Sequence, residues 1–149
     1  MNKLDSSRSA IFSIKPKFIS LIFSGLKTVE LRRTKPLRIR KGTRIFFWET
    51  SPSKQLAGFA HVEAIISAPV EKLWTIVSEH AGVTREEFDA YFEGSDLGVA
   101  VFLSDATEFR KKPQLSVLRK HLGFMPPQSF RYVSASESRY IGRRASSAA

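Results

Sequence analysis

The chain has 149 residues, no cysteine, a formal net charge of +10 and a pI near 10.2; this is the size of one ordinary domain with a core of its own, and it excludes disulfides and thiolate metal sites. No apolar run reaches the roughly 20 residues of a membrane span, and the opening MNKLDSSRSA lacks the apolar stretch of a signal peptide, so a cytoplasmic protein without a membrane partner is expected. The excess of 24 Lys and Arg over 14 Asp and Glu favours a polyanionic partner, nucleic acid before membrane surface.

Residues 10–14, AIFSI, read as a short strand. In KPKFISLIFSG, Pro16 suits a first helical turn, where its missing N–H is an orphan anyway, and Phe18, Leu21 and Ile22 recur at helical spacing. Gly25 is a natural stop, so a helix over 16–24 is expected. TVELRR then alternates, with Val29 and Leu31 on one face and Thr28, Glu30 and Arg32 on the other. A basic loop, TKPLRIRKGT, leads to the aromatic strand RIFFWET. SPSK turns the chain into a long strand, LAGFAHVEAIISA, bent or bulged near Gly58. Pro69 opens a second helix, and Thr84 with Glu87 has capping-box spacing for a third. LGVAVFLSDATEF is another strand, KKPQLSVLRKHLGF a basic loop and short helix, and MPPQSFRYV a closing strand.

This order lacks regular βαβ alternation. It predicts an α+β fold, a small mainly antiparallel or mixed barrel decorated by short helices. The domain is expected over 10–133, flanked by a flexible N-terminus over 1–9 and a disordered basic tail, rich in Ser, Ala and Arg, over 134–149.

The junction FSGLKTVELRR is the most informative stretch. On a strand, Glu30 and Arg32 lie two apart and share a face, so opposite charges can pair where each would be costly alone. Lys27 sits just before that strand. An Arg offers a planar fork for phosphate or a base edge, and a Lys a point charge, nucleophile or base if burial lowers its pKa. A Glu offers an acceptor for exocyclic amines. The plain alternative is a solvated strand face laced by a salt bridge.

GLKTVELRR also resembles the G-x-K-x-x-E-x-R signature of the ASCH family, whose fold is similar to the PUA domain, with the signature on Gly25, Lys27, Glu30 and Arg32. SIKPKFISLIFSG, IFFWETSPSKQLAGFAHV and PPQSFRYV resemble the family's first strand and helix, its barrel strands and the closing strand of a bacterial and archaeal branch of predicted regulators. The resemblance, over roughly residues 11–133, implies a β-barrel with a cleft beside the signature strand and a role in binding nucleic acid, RNA favoured. One branch resembles amidohydrolases of a modified cytidine, which use the signature Lys, a Thr three residues on and a further acid. Here Glu30 stands at the Thr position and Ala81, with Glu79 nearby, at that of the acid, which departs from that mechanism.

The expected function is therefore a nucleic-acid-binding module with a regulatory role. The alternative is a small hydrolase, amidohydrolase-like or ribonuclease-like, with Lys27 and Glu30 as the catalytic pair. Lys27, Glu30, Arg32 and Arg33 form the central binding set. Trp48 is a candidate for base stacking, although such aromatic clusters more often pack a core. Lys54, beside the Ser51-Pro52 turn, and Arg131, alternating with Phe130 and Tyr132, are candidate cleft residues. The basic clusters over 38–44 and 110–112 suit phosphate contacts. His61, His80 and His121 are scattered without ligand spacing, so no metal and no cofactor is expected. Oligomeric state is not legible.

Overall fold

The computed structural model describes residues 9–146. In chain order the elements are β1 (Ser9–Ile14), α1 (Pro16–Phe23), β2 (Val29–Arg32), β3 (Arg44–Glu49), β4 (Gln55–Pro69), α2 (Val70–Val77), α3 (Arg85–Tyr91), β5 (Leu97–Glu108), α4 (Leu115–Leu122), β6 (Phe130–Tyr132) and α5 (Ala135–Ser146). Six strands form one mixed sheet in the order β2-β5-β4-β3-β1-β6, with β1 and β3 parallel and the other pairs antiparallel. Curling makes this sheet a half-barrel, so the expected small mixed barrel with short helices is the fold observed.

The curl has a local cause. β4 slips register against β3 at Phe47/Trp48 and twice against β5, and such irregularities bend and twist a strand. Gly58 lies at the first slip. A Cβ there would sit 2.2 Å from the Thr107 carbonyl oxygen and 2.6 Å from Phe23 Cζ, so only glycine lets β5 and α1 approach this closely.

Apolar side chains bury on both faces of the sheet. Phe12, Ile45, Phe47 and Val101 fill the barrel interior. Ile11, Phe46 and Trp48, pointing the other way, pack against Phe109, Leu118 and Phe124. Val29, Leu31 and Ala100 pack under α2 and α3 through Leu73, Phe88 and Phe92. The predicted capping box is present, Thr84 Oγ accepting from Glu87 N–H at 3.1 Å and Glu87 Oε1 from Thr84 N–H at 2.8 Å.

The two terminal expectations fare differently. Residues 1–8 lie outside the described residues, but Ser9, expected to be flexible, opens β1. The disordered tail is corrected, for most of it is α5. Its start has a reciprocal cap, with Ser134 Oγ accepting from Glu137 N–H at 3.2 Å and Glu137 Oε1 accepting from Ser134 N–H at 3.0 Å. Ile141 is fully buried with Leu118 and Phe124, so the helix covers apolar surface that would otherwise face water. The domain therefore runs on through α5.

Candidate functional site

The end of α1 delivers the polar row. Gly25 takes φ 85°, a left-handed turn suited to glycine, and the N–H groups of Leu26 and Lys27 both donate to the Leu21 carbonyl at 3.0 Å. This fixes where Lys27 leaves the helix. β2 follows immediately and pairs with β5 through Glu30↔Val101 and Arg32↔Val99, so Glu30 and Arg32 project from one face of an edge strand.

All three charges are largely withdrawn from water, with side-chain exposures of 2% for Lys27, 7% for Glu30 and 13% for Arg32. Glu30 lies between the cations, with Oε1 3.5 Å from Lys27 Nζ and Oε2 3.1 Å from Arg32 Nη1. Lys27 Nζ also donates to the Ala81 carbonyl at 2.5 Å and sits 4.9 Å from the centre of the Phe18 ring. Where the amidohydrolase pattern would have an acid, Lys27 thus meets a backbone carbonyl. Burial holds the Lys27 ammonium below the usual lysine pKa; Glu30 pulls the other way, and Arg32 reinforces the lowering.

Arg32 stacks on Phe12, 4.5 Å from the ring centre, and its Nη1 also donates to the Leu31 carbonyl at 3.3 Å. Its Nε and Nη2 are buried and have no hydrogen-bond partner. Those two nitrogens form one edge of the guanidinium, the fork that matches two oxygens of a phosphate or carboxylate. A buried donor left unpaired costs free energy, so this edge is poised for an acceptor.

Two clefts meet at Arg32. The first, about 500 Å³, runs past Lys17, Phe18, Lys27, Glu30 and Phe88. The second, about 520 Å³, is bounded by Arg33 and Thr34 after β2 and by Gln128, Ser129 and Arg131 around β6. It therefore spans the gap between the two edge strands of the unclosed sheet. Arg32 and Tyr91 line both clefts. Tyr91 is clipped in place, because its hydroxyl donates to the Leu31 carbonyl at 3.1 Å and its own carbonyl accepts from Arg33 Nε at 2.7 Å.

The structure brings together Lys27, Glu30, Arg32 and Arg33, with Arg131 across the gap. Arg131 is engaged in a fork–fork pair, Nη1 and Nη2 each donating to Glu137 at 2.8 Å. Lys54 is exposed in its loop with φ 51° and lines neither cleft. Trp48 as a stacking residue is a correction. It is 3% exposed and packs against Phe124 at 5.3 Å, because α4 and α5 cover the face of β3 that it occupies. The residue that sequence reasoning missed is Tyr91, whose signal was its place one helical turn after Glu87.

Among the described residues no three His, Cys, Asp or Glu side chains gather as metal ligands, and no helix is long and apolar enough to cross a membrane. A curled mixed sheet with a buried Lys–Glu–Arg row beside its open edge is a PUA-like domain. The family model described as a domain of unknown function, DUF365, matches residues 8–121. The chain is 34% identical over 143 residues to an ASCH domain-containing ribonuclease of Zymomonas mobilis, covering 95% of each. The crystal structure of ASCH from Zymomonas mobilis superposes with a TM-score of 0.85 at 33% identity, over 92% of this chain and 95% of that one. A Ureaplasma parvum protein named large ribosomal subunit protein uL22 is 28% identical over 130 residues, and the match spans 87% of this chain but 40% of that longer protein. The chain belongs to the ASCH domain family.

Proposed function

We propose that this domain binds single-stranded RNA in the cleft at β2, with a backbone phosphate on Arg32. The observation that carries this reading is the unpaired Nε–Nη2 edge of Arg32, held beside Lys27 and Glu30 where two clefts meet. That edge is shielded from water, so a turn of the Arg32 side chain off Phe12 accompanies capture. Glu30 positions Arg32 or accepts from a base edge, and the net charge of +10 supplies the long-range attraction. The names of the Zymomonas mobilis and Ureaplasma parvum relatives, a ribonuclease and a ribosomal protein, support RNA over DNA. Binding without turnover would serve the regulatory role expected from the resemblance.

A second reading, RNA cleavage, is favoured by the ribonuclease relative and by the lowered Lys27 pKa beside Glu30. Here a 2′-hydroxyl attacks its neighbouring phosphorus and the P–O5′ bond breaks. The 2′-oxygen gives its proton to a base, and an acid protonates the departing 5′-oxygen. Lys27 and Glu30 hold between them one acceptor and one donor for these transfers.

The test uses end-labelled RNA with wild type, Arg32→Gln and Lys27→Ala. Affinity falling steeply with salt, and lost in Arg32→Gln, supports binding on phosphate. Affinity that barely changes from low to physiological salt overturns it. Cleavage products that disappear in Lys27→Ala, while RNA still binds, select the second reading.

A further inference from the structure

The binding reading names one phosphate and one cleft. The second cleft remains, and its construction is specific. It has nearly the volume of the first, about 520 against 500 Å³, and both lie in the range of sites that enclose a small organic molecule. They are not separate pockets at distant places. Arg32 and Tyr91 belong to the walls of both, so the guanidinium stands at the boundary with one chamber on each side.

The chambers differ in character. On the Lys27 side the wall contains apolar Phe18, Leu31, Val83 and Phe88 together with the ion row. On the far side it contains three arginines, Arg32, Arg33 and Arg131, with Gln128 and Ser129 as neutral polar groups. Among the described residues no acid lines that second cleft. Arg131 is neutralised by its fork to Glu137, whereas Arg33 is exposed and spends only its Nε, on the Tyr91 carbonyl.

We propose that the two clefts are adjacent nucleotide subsites on either side of one phosphodiester. Arg32 takes the bridging phosphate, the Lys27–Phe18 chamber takes one nucleoside, and the Arg33 chamber takes the next nucleotide with its outer phosphate. The inference rests on the RNA-binding reading and narrows it. The minimal ligand is a dinucleotide carrying a phosphate between its sugars, rather than a nucleoside or a mononucleotide. An aromatic wall suits a base face and an acid-free arginine wall suits phosphate. The tie of Tyr91 to both Leu31 and Arg33 keeps the boundary rigid, which fixes the spacing between the subsites.

The probes are cytidine, cytidine 3′-monophosphate, the dinucleotide CpAp, which carries both the bridging and the outer 3′-phosphate, and a ten-nucleotide single-stranded RNA, titrated at fixed salt against wild type and Arg33→Gln. The expected result is at least a tenfold gain from mononucleotide to dinucleotide. Arg33→Gln removes most of that gain, so its fold-loss of affinity for the dinucleotide clearly exceeds its fold-loss for the mononucleotide. Arg33 is exposed, so the variant keeps the fold, which a thermal melt verifies. If the dinucleotide binds no better than the mononucleotide while the longer RNA binds well, the paired subsites are overturned and the parent reading stands. If Arg33→Gln weakens every probe equally, Arg33 adds general charge only and the assignment of its chamber fails. If no probe binds, the RNA reading falls and the subsites fall with it.

Discussion

Replacing Glu30 by Gln removes the negative charge that lies between Lys27 and Arg32 while keeping the side-chain shape. At an effective dielectric constant of about 20, unit charges separated as Glu30 and Lys27 are, by 3.5 Å, attract by roughly 5 kcal/mol, and the Arg32 contact at 3.1 Å adds a similar amount. Desolvation offsets much of this, so breaking such a pair costs about 3–5 kcal/mol net. For a chain of this size that corresponds to a fall in Tm on the order of 10 °C.

The loss depends on pH in a definite direction. Unfolded Lys27 titrates near 10.5 and native Lys27 below it. Between the two values the unfolded chain holds more protons, so this group's contribution makes stability rise with pH. Without Glu30 the native Lys27 pKa drops further, and the ammonium sheds its proton at lower pH. The deficit of Glu30→Gln is therefore largest at neutral pH and shrinks as the pH is raised toward the ordinary lysine value of 10.5. Chemical denaturation of both proteins at the two ends of that range measures it. A deficit below about 1 kcal/mol at both would refute a shared desolvated row. A deficit that does not shrink would show that Lys27 is not the group responding.

Three further outcomes follow from the packing. Ile141→Ala should lower stability by about 2–4 kcal/mol in denaturant melts, since it empties a buried site between α5 and α4; a change near zero would detach α5 from the core. Gly58→Ala should destabilise by roughly 1–3 kcal/mol or more, because its methyl meets the Thr107 carbonyl, and a neutral effect in a thermal melt would mean that β4 and β5 separate easily there. Burial alone would raise the Glu137 carboxyl, but the bonds from Arg131 and Ser134 outweigh it and hold the group below its ordinary value of 4.5. The stability Glu137 contributes is thus present above that value and lost as pH falls through the lower native one. Glu137→Gln should therefore be destabilised at neutral pH and approach wild type in acid, and equal deficits at both would remove the Arg131 pair as the cause.

The site was legible wherever one local pattern decided it. Gly25 marks a left-handed turn by its residue type, and the two-residue period places Glu30 and Arg32 on one face whatever the rest of the fold does. Thr84 and Glu87 reveal a helix start for the same reason. Trp48 was not legible, because alternation separates two faces of a strand without saying that both are covered. Only α4 and α5, distant in sequence, bury that side of β3. The misjudged tail hid a second fact. With 134–149 read as disordered, nothing in the sequence points to a partner for Arg131, and it is α5 that supplies Glu137. Composition argued for disorder, while the spacing of Ser134 to Glu137 and the apolar Tyr140-Ile141 pair carried the weaker opposing signal.

The second cleft lies where the first and last strands of the sheet fail to meet, so the hydrogen-bonded path between its two walls, Arg32 with Arg33 and Arg131, runs through four intervening strands. Its width is accordingly a property of the whole sheet's curvature. The slips of β4 near Gly58 act as a setting for that curvature from the opposite side of the barrel. Small differences in how tightly the middle strands bend would be magnified at the open edge. A change in β4 near Gly58 would thus alter the width of this cleft without altering any residue that lines it.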